Sequence, residues 1–158
     1  MNFLTEHGIS SYGELEGKLS AVSARRDTAH AEIKRIESRS AELTLVMKHA
    51  ETYRQLKPIY DRYRKSNNKE KFLRGHESEI ILFEAAAREL KRLGAVPLPT
   101  TESMKTELAN LSAEKERLLA EYKTARTEAQ EYETVKQNVD ALLAVPKEQE
   151  QQRRHELE

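Results

Sequence analysis

The residues best suited to chemistry lie between Tyr53 and Gly75, where basic and aromatic side chains are interleaved. This stretch holds eight basic residues and two acidic ones, a net charge of +6. Because the whole chain is neutral, the remaining residues carry a net −6. Lysine and arginine bind phosphates, and exposed aromatic rings can stack on unpaired bases. The pattern indicates either a nucleic-acid contact or a basic surface that aids solubility while its tyrosines pack on a neighbouring helix.

The candidate contact residues are eight cations and three aromatic residues of this stretch. They are Arg54, Lys57, Tyr60, Arg62, Tyr63, Arg64, Lys65, Lys69, Lys71, Phe72 and Arg74. No other chemistry is indicated. The five histidines lack metal-ligand spacing, the five glycines form no phosphate-binding loop, and no serine lies in a nucleophile elbow. We therefore predict a non-enzymatic protein without a catalytic residue, metal, cofactor or small-molecule ligand.

Two heptad patterns must position the basic stretch. Mainly apolar residues recur in steps of four and three from Leu15 to Ala50, and again from Met104 to Leu143; the polar exceptions are Arg26, Ser40, Lys115 and Lys136. Such spacing is typical of long helices that lie against each other. After Ala50 the apolar positions move to Tyr53, Leu56, Tyr60 and Tyr63, which shifts the phase of the pattern.

Capping and breaking residues set the expected boundaries. Ser11 with Glu14 forms a capping box, and Thr100 or Thr101 can cap the last helix. Asn68 can cap a following turn through Lys69 to Arg74, and a shorter helix is expected from His76 to Leu93. Gly75 predicts an interruption and Gly94 a left-handed helix end. Pro58 predicts a kink or break near Arg54 to Lys57. The expected segments are a lead-in (1–10), long helix 1 (11–65), a helical insertion and proline loop (66–99), long helix 2 (100–145) and a disordered polar tail (146–158).

The predicted fold class is all-α. It is an elongated, antiparallel, coiled-coil-like hairpin of two long helices with a shorter helical insertion at its tip. The chain has no cysteine, and none of its apolar runs approaches the length of a membrane span. We therefore expect a cytoplasmic protein without membrane contact.

The sequence also resembles the relaxases, or mobilisation nucleases, of Gram-positive conjugative and mobilisable elements. The resemblance extends from Phe3 to Leu143 and rests on the order of short motifs. These are Phe3-Leu4, Gly8–Tyr12, Glu14–Glu16, Leu19, Ser23–Asp27, Tyr53-Arg54, Tyr60, Tyr63–Lys65, Lys71-Phe72, Leu93-Gly94, Leu98–Thr100, Ala113–Lys115 and Glu121-Tyr122.

The resemblance implies the C-terminal helical region that follows a nuclease domain in that family. The catalytic tyrosine and the histidine-bound metal of the nuclease match no residue here, so nicking is not expected of this chain. The expected function is an accessory region that binds DNA, as a single strand or as origin duplex, or docks on conjugation proteins. A stand-alone helical adaptor or inhibitor of another protein, and a dimerising coiled-coil spacer that forms a homodimer, are the alternatives.

Overall fold

Three helices make up a computed structural model of the chain, which describes His7 and residues 11–156, with residues 145–156 described by their backbone alone. Helix α1 is Tyr12–Lys65, α2 is Lys69–Arg92 and α3 is Thr101–Glu156. The described residues contain no β-strand, which confirms the all-α class. Apart from His7, the predicted lead-in (1–10) lies outside the described residues.

The chain divides into two compact units. The first combines Met1–Ile33 with Glu116–Glu158, and the second is Lys34–Lys115. In the first unit α1 and α3 are antiparallel, since Tyr12 Oη donates a hydrogen bond to Asp140 Oδ1 (2.6 Å) and Arg25 pairs with Glu128 (2.7 Å). The core of this unit is built from Leu15, Val22, Ala125, Ala129 and Tyr132. All five lie on the predicted heptad positions, and Ala125 and Ala129 are nearly inaccessible to solvent.

The second unit contains α2 and the adjoining parts of the long helices. Here too α1 and α3 are antiparallel, because Glu37 pairs with Lys115 (3.3 Å) and Arg39 with Glu107 (2.8 Å). The buried side chains of this unit include Ile36, Leu43, Ala50, Met104 and Leu111. Each fully buried aliphatic side chain contributes about 1.5–3 kcal/mol through the hydrophobic effect. The apolar stripe of α2 is buried at Ile80, Phe83, Ala86 and Leu90.

The predicted helix caps are confirmed. The hydroxyl of Ser11 accepts a hydrogen bond from the Glu14 amide (3.2 Å), and the Asn68 side chain accepts one from the Lys71 amide (3.1 Å). Thr100, rather than Thr101, caps α3 by accepting a bond from the Ser103 amide (3.1 Å). Gly94 has φ 70°, the left-handed conformation that ends a helix with little strain when the residue is glycine.

Neither long helix is broken at its proline. Helix α1 passes through Pro58 without a break, and α3 continues through Pro146 to Glu156 instead of ending at residue 145, the predicted end of long helix 2. Beyond Pro58, Tyr60 packs on α2, so tertiary contacts hold the helix where local propensity disfavours it. Beyond Pro146, the Glu- and Gln-rich segment has high helix propensity, and its backbone is helical in place of the expected disordered tail.

The interruption expected at Gly75 is present one residue later. Helix α2 is kinked at His76, whose φ of −135° and ψ of 25° are not helical. The His76 ring packs on Phe72 with centroids 4.5 Å apart, and its Nδ1 lies 2.8 Å from Glu79 Oε2. These two contacts hold the kinked turn on both of its sides.

Candidate nucleic-acid interface

The last turn of α1, residues 66–68 and the first turn of α2 form what we call the basic corner. The connection is short and is held by local hydrogen bonds. The Ser66 amide donates to the Tyr63 carbonyl (3.2 Å), and the Ser66 hydroxyl accepts from the Asn68 amide (3.2 Å). With Asn68 capping α2, the corner has a defined backbone that brings the end of α1 beside the start of α2.

An aromatic cluster fixes α2 against α1 next to the basic corner. Phe83 is only 5% exposed and stacks on two tyrosines of α1, Tyr53 at 4.7 Å and Tyr60 at 4.3 Å between ring centroids. Tyr63 contacts Phe72 at 6.2 Å in a tilted arrangement. These rings explain the phase shift after Ala50, because the apolar face of α1 turns from α3 towards α2.

The predicted aromatic contact residues therefore have a structural role in the second unit. Tyr60, Tyr63 and Phe72 are all half-buried and engaged with other rings. Stacking a base on Tyr60 would compete with its contact to Phe83. Such ring pairs contribute about 0.5–1.5 kcal/mol each, which is comparable to the ~1–3 kcal/mol gained per stacked base.

Four of the eight predicted cations already have partners. Arg54 donates to the Pro99 carbonyl (2.7 Å) and to the Thr101 hydroxyl (2.6 Å), which ties α1 to the start of α3. Lys57 pairs with Asp61 (2.8 Å) and Arg74 with Glu70 (3.0 Å). The hydrogen bond to Asp61 raises the pKa of Lys57. Arg62 lies over the Phe72 ring at 5.7 Å, a cation–π contact.

The other four cations are exposed and have no ion pair or side-chain hydrogen bond within the described part of the chain. They are Arg64, Lys65, Lys69 and Lys71. The two acidic residues of the stretch, Asp61 and Glu70, are already paired. Half of the eight cations of the stretch are therefore exposed without an acidic partner among the described residues.

The helix dipoles separate these four cations into two classes. Arg64 and Lys65 lie in the last turn of α1, where a positive charge stabilises the helix by about 0.3–1 kcal/mol each. Lys69 and Lys71 lie in the first turn of α2, where a positive charge is unfavourable by a similar amount. Helix stability accounts for the first pair and not for the second.

Two residues that pack beside the basic corner were not among the predicted contact residues. His76, with its contacts to Phe72 and Glu79, forms the kink, and Phe83 is the centre of the aromatic cluster. Tyr53 and Tyr60 are seven residues apart, so both rings lie on the same face of α1. This spacing could have indicated that one aromatic ring of a neighbouring helix contacts both.

No cluster of three or more histidine or acidic side chains that could hold a metal occurs among the described residues. Within the same residues, no helix combines the length and the apolar content that crossing a bilayer requires. Comparison of the chain with protein-family models, with curated proteins and with solved structures finds no match.

Proposed function

We propose that this chain is a non-catalytic helical accessory module of a conjugative relaxase that contacts DNA through the phosphate backbone at the basic corner. The observation that carries the DNA contact is the group of four unpaired cations, two of which oppose the dipole of the helix that bears them. The relaxase context is supported by the sequence resemblance between Phe3 and Leu143. Docking on conjugation proteins in a cytoplasmic complex belongs to the same proposal.

The geometry favours phosphates over bases as the target. The cations are exposed on a turn of defined backbone, whereas the rings beside them are engaged with one another. Binding by phosphate contacts alone is independent of sequence and depends strongly on salt. We therefore expect duplex DNA to bind at least as tightly as a single strand of equal length.

The test is a fluorescence-anisotropy titration with duplex and single-stranded DNA over a range of salt concentrations. For four phosphate contacts, log K should fall with log salt with a slope of about −3.6, or roughly 100-fold between ~50 and ~200 mM salt. A combined variant, Arg64→Gln, Lys65→Gln, Lys69→Gln and Lys71→Gln, should lose most of this slope. The dipole effects of the two pairs oppose each other, so the variant should remain folded.

A matched control removes the same charge elsewhere. Lys18→Gln, Lys34→Gln, Lys123→Gln and Arg126→Gln also replace three lysines and one arginine at exposed helical positions. At the same salt concentration, this control should bind DNA with a dissociation constant within about twofold of that of the original protein. Equal binding by both quadruple variants would refute the assignment to the basic corner. Tighter single-strand binding that is lost in Tyr60→Leu would refute the phosphate mode in favour of base stacking.

A protein-binding adaptor or dimerising spacer is the second candidate, and one observation favours it. Ile81 and Leu82 of α2 are 54% and 55% exposed although they are large and apolar, and adjacent exposed residues of this kind occur at protein interfaces. If no DNA binds at low salt, this face becomes the leading candidate. Light scattering of Ile81→Ser with Leu82→Ser then separates self-association from binding to a different protein.

A further inference from the structure

A groove of about 620 Å³ lies in the second unit between α1, the C-terminal part of α2 and the loop that leads to α3. Its apolar lining comes from Tyr53, Ala87, Leu90, Ala95, Val96 and Leu98. Sites for small molecules have volumes of roughly 300–1000 Å³ and mostly apolar walls with few polar groups. The groove meets this description.

The backbone at the end of α2 gives the groove a fixed wall. The Gly94 amide donates to the Lys91 carbonyl (3.1 Å) and the Ala95 amide to the Leu90 carbonyl (2.9 Å), which is the Schellman pattern of a helix end. Of the lining residues, Leu90 and Ala95 are buried, whereas Val96 is 67% exposed. The groove is thus part of the folded unit and is open to solvent on one side.

The polar groups that line the groove favour a ligand with a negative charge. Lys91 is exposed on the lining, and its ammonium has no ion pair within the described residues. The nearest acidic residue in sequence, Glu89, is paired with Arg92 (2.7 Å). Tyr53 also lines the groove, and its hydroxyl makes no hydrogen bond within the described residues.

We propose that this groove binds an amphipathic carboxylate, a molecule with one acidic head group and a hydrocarbon body. The carboxylate lies at the Lys91 ammonium, where it complements the single positive charge. The hydrocarbon lies against Leu90, Ala95 and Leu98 and is removed from water. This site does not depend on the basic corner, and it differs from the expectation that the chain takes no small molecule.

The experiment is calorimetric titration of the full chain with decanoate, decylammonium and decanol, each kept below the concentration at which it forms micelles. The original protein should bind decanoate saturably at one site and more tightly than decylammonium. Loss of an exposed ion pair, here between Lys91 and the decanoate carboxylate, weakens binding up to about fivefold. Repulsion between a glutamate at this position and the carboxylate adds a similar factor. Lys91→Glu should therefore weaken decanoate about tenfold and make decylammonium the tighter ligand.

Two further variants test whether the ligand binds in the groove and whether the position of the charge matters. Arg88→Glu makes the same charge change on the same helix at a residue outside the lining, and it should leave the preference for decanoate in place. Ala87→Leu fills part of the groove and should weaken all three probes without loss of helical circular dichroism. The proposal is overturned if decanoate shows no saturable binding, or if Lys91→Glu and Arg88→Glu change the preference equally.

Discussion

Removing the Phe83 ring should weaken the attachment of α2 to α1 and lower the free energy of unfolding by about 3–5 kcal/mol. Phe83 is 5% exposed and stacks on Tyr53 and Tyr60 at 4.7 and 4.3 Å. A buried phenylalanine replaced by alanine costs about 3–5 kcal/mol. The two ring pairs, at about 0.5–1.5 kcal/mol each, place Phe83→Ala towards the upper part of that range.

The measurement is urea denaturation followed at two wavelengths. Far-ultraviolet circular dichroism reports all helices, and the near-ultraviolet tyrosine bands report the aromatic cluster. Phe83→Leu keeps most of the buried volume without the ring and should cost only about 1–2 kcal/mol. The neighbouring Leu82 is 55% exposed, so Leu82→Ala should cost less than about 1 kcal/mol. A loss for Phe83→Ala no larger than that of Leu82→Ala would refute the structural role of the aromatic cluster.

Two other outcomes follow from single contacts. The hydrogen bond to Asp140 raises the pKa of Tyr12 to about 12, so its contribution to stability is complete below pH 10 and is lost as the pH rises through 12. The difference in phenolate absorbance between the original protein and Tyr12→Phe reports Tyr12 alone, and it should have its titration midpoint near pH 12. A midpoint near pH 10 would contradict the hydrogen bond. Gly94→Ala should cost about 1–2 kcal/mol in thermal unfolding because φ is 70° there. In contrast, Gly17→Ala, within α1 and with open space at the added methyl, should stabilise by about 0.4–1 kcal/mol, and equal effects at the two glycines would contradict the assigned conformations.

Much of the fold was predictable because its signals are local. Heptad spacing located the long helices, and long helix 1 was predicted at 11–65 and observed at Tyr12–Lys65. Ser11, Asn68, Gly94 and either Thr100 or Thr101 were predicted as caps because one side chain or one backbone angle decides a helix end. The cation-rich stretch was equally visible, since charge can be counted along the chain.

The departures have non-local causes. Val46 is 3% exposed although the heptad series placed Met47 at the seam, and the apolar face of α1 turns towards α2 shortly afterwards. Propensity alone could not show that α1 continues through Pro58, because contacts such as the stacking of Tyr60 on Phe83 lie far away in sequence. The groove beside Lys91 was also missed, since it exists only where a loop crosses two helices.

The sequence by itself determined that this chain forms helices, where most of them begin and end, and that its positive charge is concentrated in residues 53–75. Periodicity, capping and charge act between residues close along the chain. The tertiary structure alone decided which of those cations are free and which rings are packed. Lys57 and Arg74 found carboxylates one turn away, Arg54 reached the start of α3, and Lys69 and Lys71 remained unpaired. The physical reason is that pairing and burial depend on distances in space, which the fold sets.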